Sequence, residues 1–300
     1  MTPSSVTHLH LLAVINSELS RWPADVPIRI LDVGCGDGRL IAYLVHELAR
    51  LRPQLAIEAY GFDVHDHGVQ ARGFLDRTLA FLKTACPACP WEERIASIAD
   101  GEAWPYASES FNIIVSNQVL EHVRDHAFLL REVRRTLVDR GISAHLFPLR
   151  HYVFEGHLRL PLVHRIRNTD LTRAFIRACS CAGLGKFREH QQTFGSTLEE
   201  FSWRHADYMH YFTNYLTQTE IMKLAKQERL RVSFRYTSGF YSNKVRTVIG
   251  LPAVLRYSQD RSATLDWIAA AALRYVSSVT LFLEKHETYT RLSGSTVAHH

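Results

Sequence analysis

The chain is poor in the features that mark secreted, membrane-spanning and nucleic-acid-coating proteins. It has five cysteines in 300 residues: Cys35 alone, Cys86 and Cys89 in CPAC, and Cys179 and Cys181 one residue apart. That distribution supports no structural disulfide framework. CxxC is a zinc-ligand spacing, but the second pair is C-x-C within a helical pattern and the prolines of CPACP read as an ordinary loop, so no metal site is expected. The 35 Lys and Arg residues are scattered and the net charge of +5 is mild, which permits an anionic substrate and gives no reason to expect nucleic acid. No basic residue precedes Arg21, so the charged start of a secretory signal is lacking and a cytoplasmic location is expected. The most apolar run, Leu265 to Leu283, is interrupted by Asp266, Arg274 and several hydroxyl residues. It is expected to form a helix to Val276 and then an alternating strand, SVTLFLEK, with no membrane span; weak contact with a membrane surface stays compatible with it.

What is present is enough apolar residue, 46%, to bury a full core, and one organising stretch, IRILDVGCGDG at Ile28 to Gly38. Ile28, Ile30, Leu31 and Val33 suit a strand covered on both faces. Gly34, Gly36 and Gly38 allow a tight turn with room for a ligand against the backbone. Leu40, Ile41, Leu44, Val45 and Leu48 then recur at helical spacing. The third glycine is out of register for a dinucleotide fingerprint, since Arg39 stands three residues after Gly36. Asp32 and Asp37 flank the turn, and carboxylates suit a cation or amine better than a pyrophosphate. A second strand, AIEAYGFD, ends on Asp63, where an acid can accept hydrogen bonds from both ribose hydroxyls. His65, Asp66 and His67 read as a solvated helix start. A leading amphipathic helix from Val6 to Trp22, a helix from Val69 to Thr84, and strands RIASI, FNIIVSN and GISAHLFP complete the first half. The last follows a helix to Val138 and a DRG turn.

ILDVGCGDG together with ADGEAWPYASESFNIIVSNQVLEHV closely resembles, over residues 28 to 147, the class I S-adenosylmethionine-dependent methyltransferases, of small-molecule type. The resemblance implies an α/β fold: a Rossmann-like, doubly wound, seven-stranded, mostly parallel sheet with a helical cap inserted after the fifth strand. It implies S-adenosylmethionine as cofactor. The methionine half would lie against Asp32, Gly34, Cys35, Gly36 and Asn117, the ribose at Asp63 and Val64, and the adenine at Asp100 and Gly101 with Trp104-Pro105 alongside. Asn112 departs from the family's usual Asp and is expected to affect strand capping more than ligand contact. The expected organisation is a cofactor-binding core over 1–147, a cap over 148–216, completion of the sheet over 217–290 and a tail over 291–300.

The acceptor is less legible. PLRHYVFEGHLRLPLVHRIRN, after the fifth strand, sets seven basic or histidine positions against Glu155 and is a candidate substrate wall. His151, His157, His164 and Glu155 are the candidate catalytic groups, because a hydroxyl nucleophile needs a proton acceptor within reach. Arg150, Arg159, His122 and Tyr211 are candidate acceptor contacts, although the Glu121-His122 pair reads chiefly as structural and the aromatics around Tyr211 as core. Thr197-x-x-Glu200 and Thr217-x-x-Glu220 are capping boxes, the second starting a helix to about Gln227, ahead of a sixth strand at Arg231 to Tyr236. No N/D-P-P-Y/F follows the fourth strand and no paired-glutamate loop is present, which argues against base-amine and arginine methylation. The expected activity is methyl transfer to a hydroxyl, less readily an amine, of a small or medium and acidic acceptor: a sugar, a lipid-linked glycan or another metabolite. A nicotinamide-dependent oxidoreductase and a cofactor-binding regulator without catalysis are the rival readings.

Overall fold

In the computed structural model, residues 5–65 and 73–285 are described; Asp66, His67, the expected helix start at Val69 and the tail 291–300 lie outside them. Strands β1 (Ile28–Val33), β2 (Ile57–Val64), β3 (Ile95–Ile98), β4 (Phe111–Asn117) and β5 (Leu137–Pro148) are separated by helices except between β3 and β4, which a loop joins. They pair in parallel. Two short strands, β6 (Phe154–Glu155) and β7 (Leu160–Pro161), form a separate hairpin, and β8 (Leu230–Ser233) and β9 (Ser278–Lys285) return to the main sheet. The seven-stranded order is β3-β2-β1-β4-β5-β9-β8, with β9 antiparallel to both its neighbours. This is the expected doubly wound sheet. Its parallel order reverses at β1 and β4, the point where the strands' carboxyl ends leave a crevice.

Alternation along the strands decides what each face buries. Ile28 and Ile30 of β1, with Ile113, Val115, Ile142 and Ala144, face α1 (Val6–Glu18), α2 (Arg39–Leu51) and α10 (Thr237–Val248). Leu31 and Val33, with Ile114 and Phe147, face α5 (His126–Thr136) and α9 (Gln218–Gln227). Asn112 closes a gap in the ladder: its Oδ1 accepts from the Arg29 N–H at 2.9 Å, just before β1 and β4 pair directly. The remaining helices are α3 (Phe74–Ala85), α4 (Trp91–Arg94), α6 (Thr169–Cys181), α7 (Phe187–Phe194), α8 (Leu198–Tyr211) and α11 (Ala263–Leu273).

The structure differs from the sequence expectation in several places, among them the sixth strand, expected at Arg231 to Tyr236 and found at Leu230–Ser233, and the helix expected to Val276, which stops at Leu273. The helix expected to run to Val138 stops at Thr136, and β5 begins at Leu137 because that side chain is fully buried opposite Phe111. Asp139 to Gly141 therefore form an irregularity within the strand, with Arg140 at φ 61°, where a free turn was expected. Helix α10 was not expected, since Gly239, Ser242 and Asn243 weaken its propensity. Gly239 is needed there because a Cβ would meet the Tyr257 ring at 2.8 Å. After β5 the hairpin and α6 to α8 bury their own cluster of Leu158, Leu160, Val163, Ile176, Phe201, Ala206 and Met209. Both capping boxes are formed as expected, at Thr197/Glu200 and Thr217/Glu220.

Candidate active site

A cavity of about 370 Å³ opens at the carboxyl ends of β1, β2, β3 and β4, a size typical of a small-ligand site. Gly34 of the turn after β1 lies on its wall at φ 71°, and a Cβ there would meet Val119 Cγ2 at 2.6 Å. The turn therefore tolerates only glycine, both for conformation and for space. Asp63 and Val64 from the end of β2, Asp100 and Gly101 from the end of β3, and Asn117 from the end of β4 line the same space. The Asp63 carboxylate is fixed by two backbone donors, Gly36 N–H at 2.7 Å and Val64 N–H at 2.8 Å. Asp100 faces Arg124 at 3.2 Å. Trp104, held 4.9 Å from the Phe62 ring, forms an apolar wall with Ile98, Phe128 and Leu129.

Three of the expected cofactor residues stand behind this wall. Cys35 packs into the cluster between β2 and α3, against Gly61, and its thiol is raised by burial and by the neighbouring carboxylates. Gly36 contributes its N–H to Asp63 and its carbonyl to the Thr78 hydroxyl. Asp32 is buried under the turn, and its carboxyl is held well above the usual range, by burial first and then by Asp63 and Asp37. Its Oδ1 and the Asn117 Oδ1 are buried acceptors with no hydrogen-bond partner among the described residues. Uncompensated acceptors are costly. A sulfonium nucleoside with an ammonium group has the donors and the positive charge that this end of the cavity calls for, and a diol and an apolar ring suit Asp63 and Trp104. The residues present thus fit S-adenosylmethionine.

The acceptor-side residues separate into two groups. His122 walls the cofactor cavity. Its Nδ1 lies 2.7 Å from the Phe212 carbonyl, which can only accept, so Nδ1 is the donor. The His122 ring is 5.2 Å from His157, and both contact Tyr208. His157 Nδ1 meets Glu155 at 2.6 Å. Burial lowers the His157 pKa, but the Glu155 bond and charge outweigh it and the net shift is upward. Glu155 is fully buried, penalised by burial yet drawn down to about 2 by His157 and the His157 and Leu158 N–H groups. The Tyr152 and Tyr215 hydroxyls lie 3.1 Å from it. This carboxylate is an anchor for the cap.

His151, His164 and Arg150 instead line a second cavity of about 680 Å³, with Arg165, Arg167 and His210 and no acid on its wall. His164 Nε2 donates to the Arg150 carbonyl, while the buried Nδ1 atoms of His151 and His164 lack partners among the described residues. Burial, then Arg274, Arg165 and Arg150, depress the His151 pKa. Arg159 pairs at the surface with Glu189, and Tyr211 is exposed; neither lines either of these two cavities. Sequence reasoning did not single out Arg124, Phe128, Leu129 or Asn214. Asp125, the N-cap of α5, was a readable signal for the first three. Asn214 has none in the sequence: it lines the second cavity while its amide bonds the Val123 and Arg124 carbonyls of the first. Glu121, read as structural, is fully buried with neither oxygen hydrogen-bonded among the described residues, and burial raises its pKa to about 8.

A methyltransferase-domain family model matches residues 9–232. A malonyl-[acyl-carrier protein] O-methyltransferase of Geobacter sulfurreducens is 34% identical over 120 residues, 39% of this chain and 38% of that protein. A trans-aconitate 2-methyltransferase of Azoarcus is 30% identical over 139 residues, 46% of each chain. The matched stretches span less than half the length of these curated relatives. Among solved structures, the YcgJ protein of Bacillus subtilis aligns with a TM-score of 0.47 and 14% identity, covering 93% of this chain and all of that one. The family match over most of the chain, on a sheet whose order and cavity were reached independently, shows that the chain belongs to the methyltransferase-domain family, the class I S-adenosylmethionine-dependent methyltransferases.

Proposed function

We propose that the protein transfers a methyl group from S-adenosylmethionine to an oxygen atom of a small or medium-sized acidic acceptor. The observation that carries this reading is the second cavity: three arginines and three histidines line it, and the nearest paired acid, Glu220, meets only Arg150 of them, at 3.4 Å. Such a surface favours an anion, and guanidinium groups hold carboxylates or phosphates in a directed way. The names of the two curated relatives, which specify malonyl and aconitate acceptors, agree with an acidic one.

When bound, the cofactor supplies an electrophilic methyl group. The protein's part is to orient both partners, a contribution that can reach several kcal/mol on the order of 7–11 in favourable intramolecular cases. Asp63 and Asn117 position one end of the cavity, and Asn214 ties the cap to the Val123–Arg124 segment so that the two cavities keep a fixed relation. His122, which lines the cofactor cavity with its ring oriented by the Phe212 carbonyl, is the imidazole we assign to take a proton from a hydroxyl acceptor. A carboxylate acceptor needs no such step.

The test is a screen of di- and tricarboxylates, phosphorylated sugars and their neutral analogues for release of the demethylated cofactor. Arg150→Gln with Arg167→Gln is expected to raise KM for the acid about tenfold or more while leaving kcat within a few-fold, as loss of one or two charge-assisted hydrogen bonds implies. Equal turnover of neutral analogues, unaffected by these substitutions, would refute the acidic reading.

A further inference from the structure

The strongest feature outside the two cavities is an apolar surface formed by adjoining helices α10 and α11 and the segment joining them. Val245, Val248, Ile249 and Leu251 are exposed at the end of α10, Val248 at 82%. In α11, Asp266 and Ala270 face inward, while Leu265, Trp267 and Ile268 are exposed. A helix normally turns its apolar stripe to the core; here the inward face carries an acid, paired with Arg261 at 2.5 Å, and the greasy face is left in solvent. The surface continues through Tyr275 and Val276 to Val153, whose N–H bonds the Tyr275 carbonyl, and then to Phe154. Clusters of exposed large apolar side chains mark interaction sites.

Charge selects the occupant. Lys244, Arg246 and Arg256 flank the apolar residues, and among the described residues none of the three makes an ion pair. Of the acids between residues 237 and 276, Asp266 is buried and paired, which leaves Asp260. An apolar face carrying a tryptophan and framed by unpaired cations is the pattern of a segment lying in an anionic membrane interface. We propose that the α10–α11 face docks the protein on anionic lipid bilayers, peripherally: among the described residues no helix is long and apolar enough to cross a membrane. Tyr275 belongs both to this face and to the wall of the basic cavity, so docking would bring the mouth of that cavity to the lipid headgroups. The docking itself does not depend on the identity of the acceptor.

The test is co-sedimentation of the full chain with vesicles of phosphatidylcholine alone and of phosphatidylcholine and phosphatidylglycerol in a two-to-one mixture. Binding is expected to the anionic vesicles, to fall with added salt, and to drop about fivefold for each cation removed in Lys244→Gln and Arg256→Gln. Trp267→Ser with Ile268→Ser is expected to abolish it while S-adenosylmethionine binding, followed by calorimetry, is unchanged and reports an intact fold. Failure of the wild-type chain to sediment with anionic vesicles overturns the proposal. So does a stable dimer in solution that Trp267→Ser dissociates, which would make the face a contact between copies.

Discussion

Replacing Glu121 by Gln should stabilise the protein at neutral and alkaline pH, and the size of the gain follows from burial. Glu121 lies fully buried just after β4, and among the described residues neither oxygen has a hydrogen-bond partner. Burial raises its pKa to about 8, a rise that the nearby Glu121 backbone amide and the charge of His157 only partly offset and that Glu155 adds to. In the unfolded chain the carboxyl titrates in the ordinary range. Between the two values the folded state holds a proton that the unfolded state has released, so stability falls as pH rises. The contribution is full below the unfolded pKa and is lost as pH climbs through about 8. Relative to a glutamine that does not titrate, the wild type should lose roughly 3 kcal/mol between about pH 5 and about pH 8. Urea unfolding of both proteins across that range measures it. The difference in unfolding free energy, variant minus wild type, should grow steadily with pH; parallel curves would show that Glu121 is ionised or solvated when folded and refute the argument.

Three further outcomes follow from the same geometry. Breaking the buried pair by Glu155→Gln should cost about 3–5 kcal/mol, because His157 loses its partner in a closed setting, and a thermal melt should show it. The Glu155–His157 contribution has a pH window of its own: it fades as pH falls toward the lowered Glu155 pKa of about 2 and as pH rises through the raised His157 value. Gly34→Ala, which forces a Cβ to within 2.6 Å of Val119 in a left-handed turn, should lower cofactor affinity by at least tenfold in calorimetry. Because burial and the neighbouring carboxylates raise the Asp32 pKa well above the usual range, binding of a cationic cofactor beside it should lower that pKa and release protons at pH values between its free and bound values. The binding enthalpy should then depend on the ionisation enthalpy of the buffer in the wild type and lose that dependence in Asp32→Asn.

The sheet was legible in the sequence because its strands are short apolar runs closed by glycines and acids: IRILDVG, AIEAYGFD and FNIIVSN each end where the structure places the cavity. Local chemistry marked the helix starts at Thr197 and Thr217 equally well. What could not be read depended on packing between distant segments. Nothing in the spelling of His151 and His157 tells that six residues send them to different places, one to the basic cavity and one to Glu155. Helix α10 hides behind a glycine that serves Tyr257. Cys35 differs from Gly34 in packing into the cluster between β2 and α3, and Asp32 is buried beneath the turn; neither fate is spelled in DVGCG.

The central claim is that the space bounded by Gly34, Asp63, Asp100 and Asn117 holds S-adenosylmethionine. Calorimetric titration of the wild-type chain and of Asp63→Ala with S-adenosylmethionine, its demethylated product and NAD tests it most directly. The account predicts saturable binding of the first two, none of NAD, and a loss of about tenfold to a hundredfold in Asp63→Ala, as removal of hydrogen bonds to a charged group implies. Equal affinity in the variant, or binding of NAD in place of the sulfonium nucleoside, would contradict it.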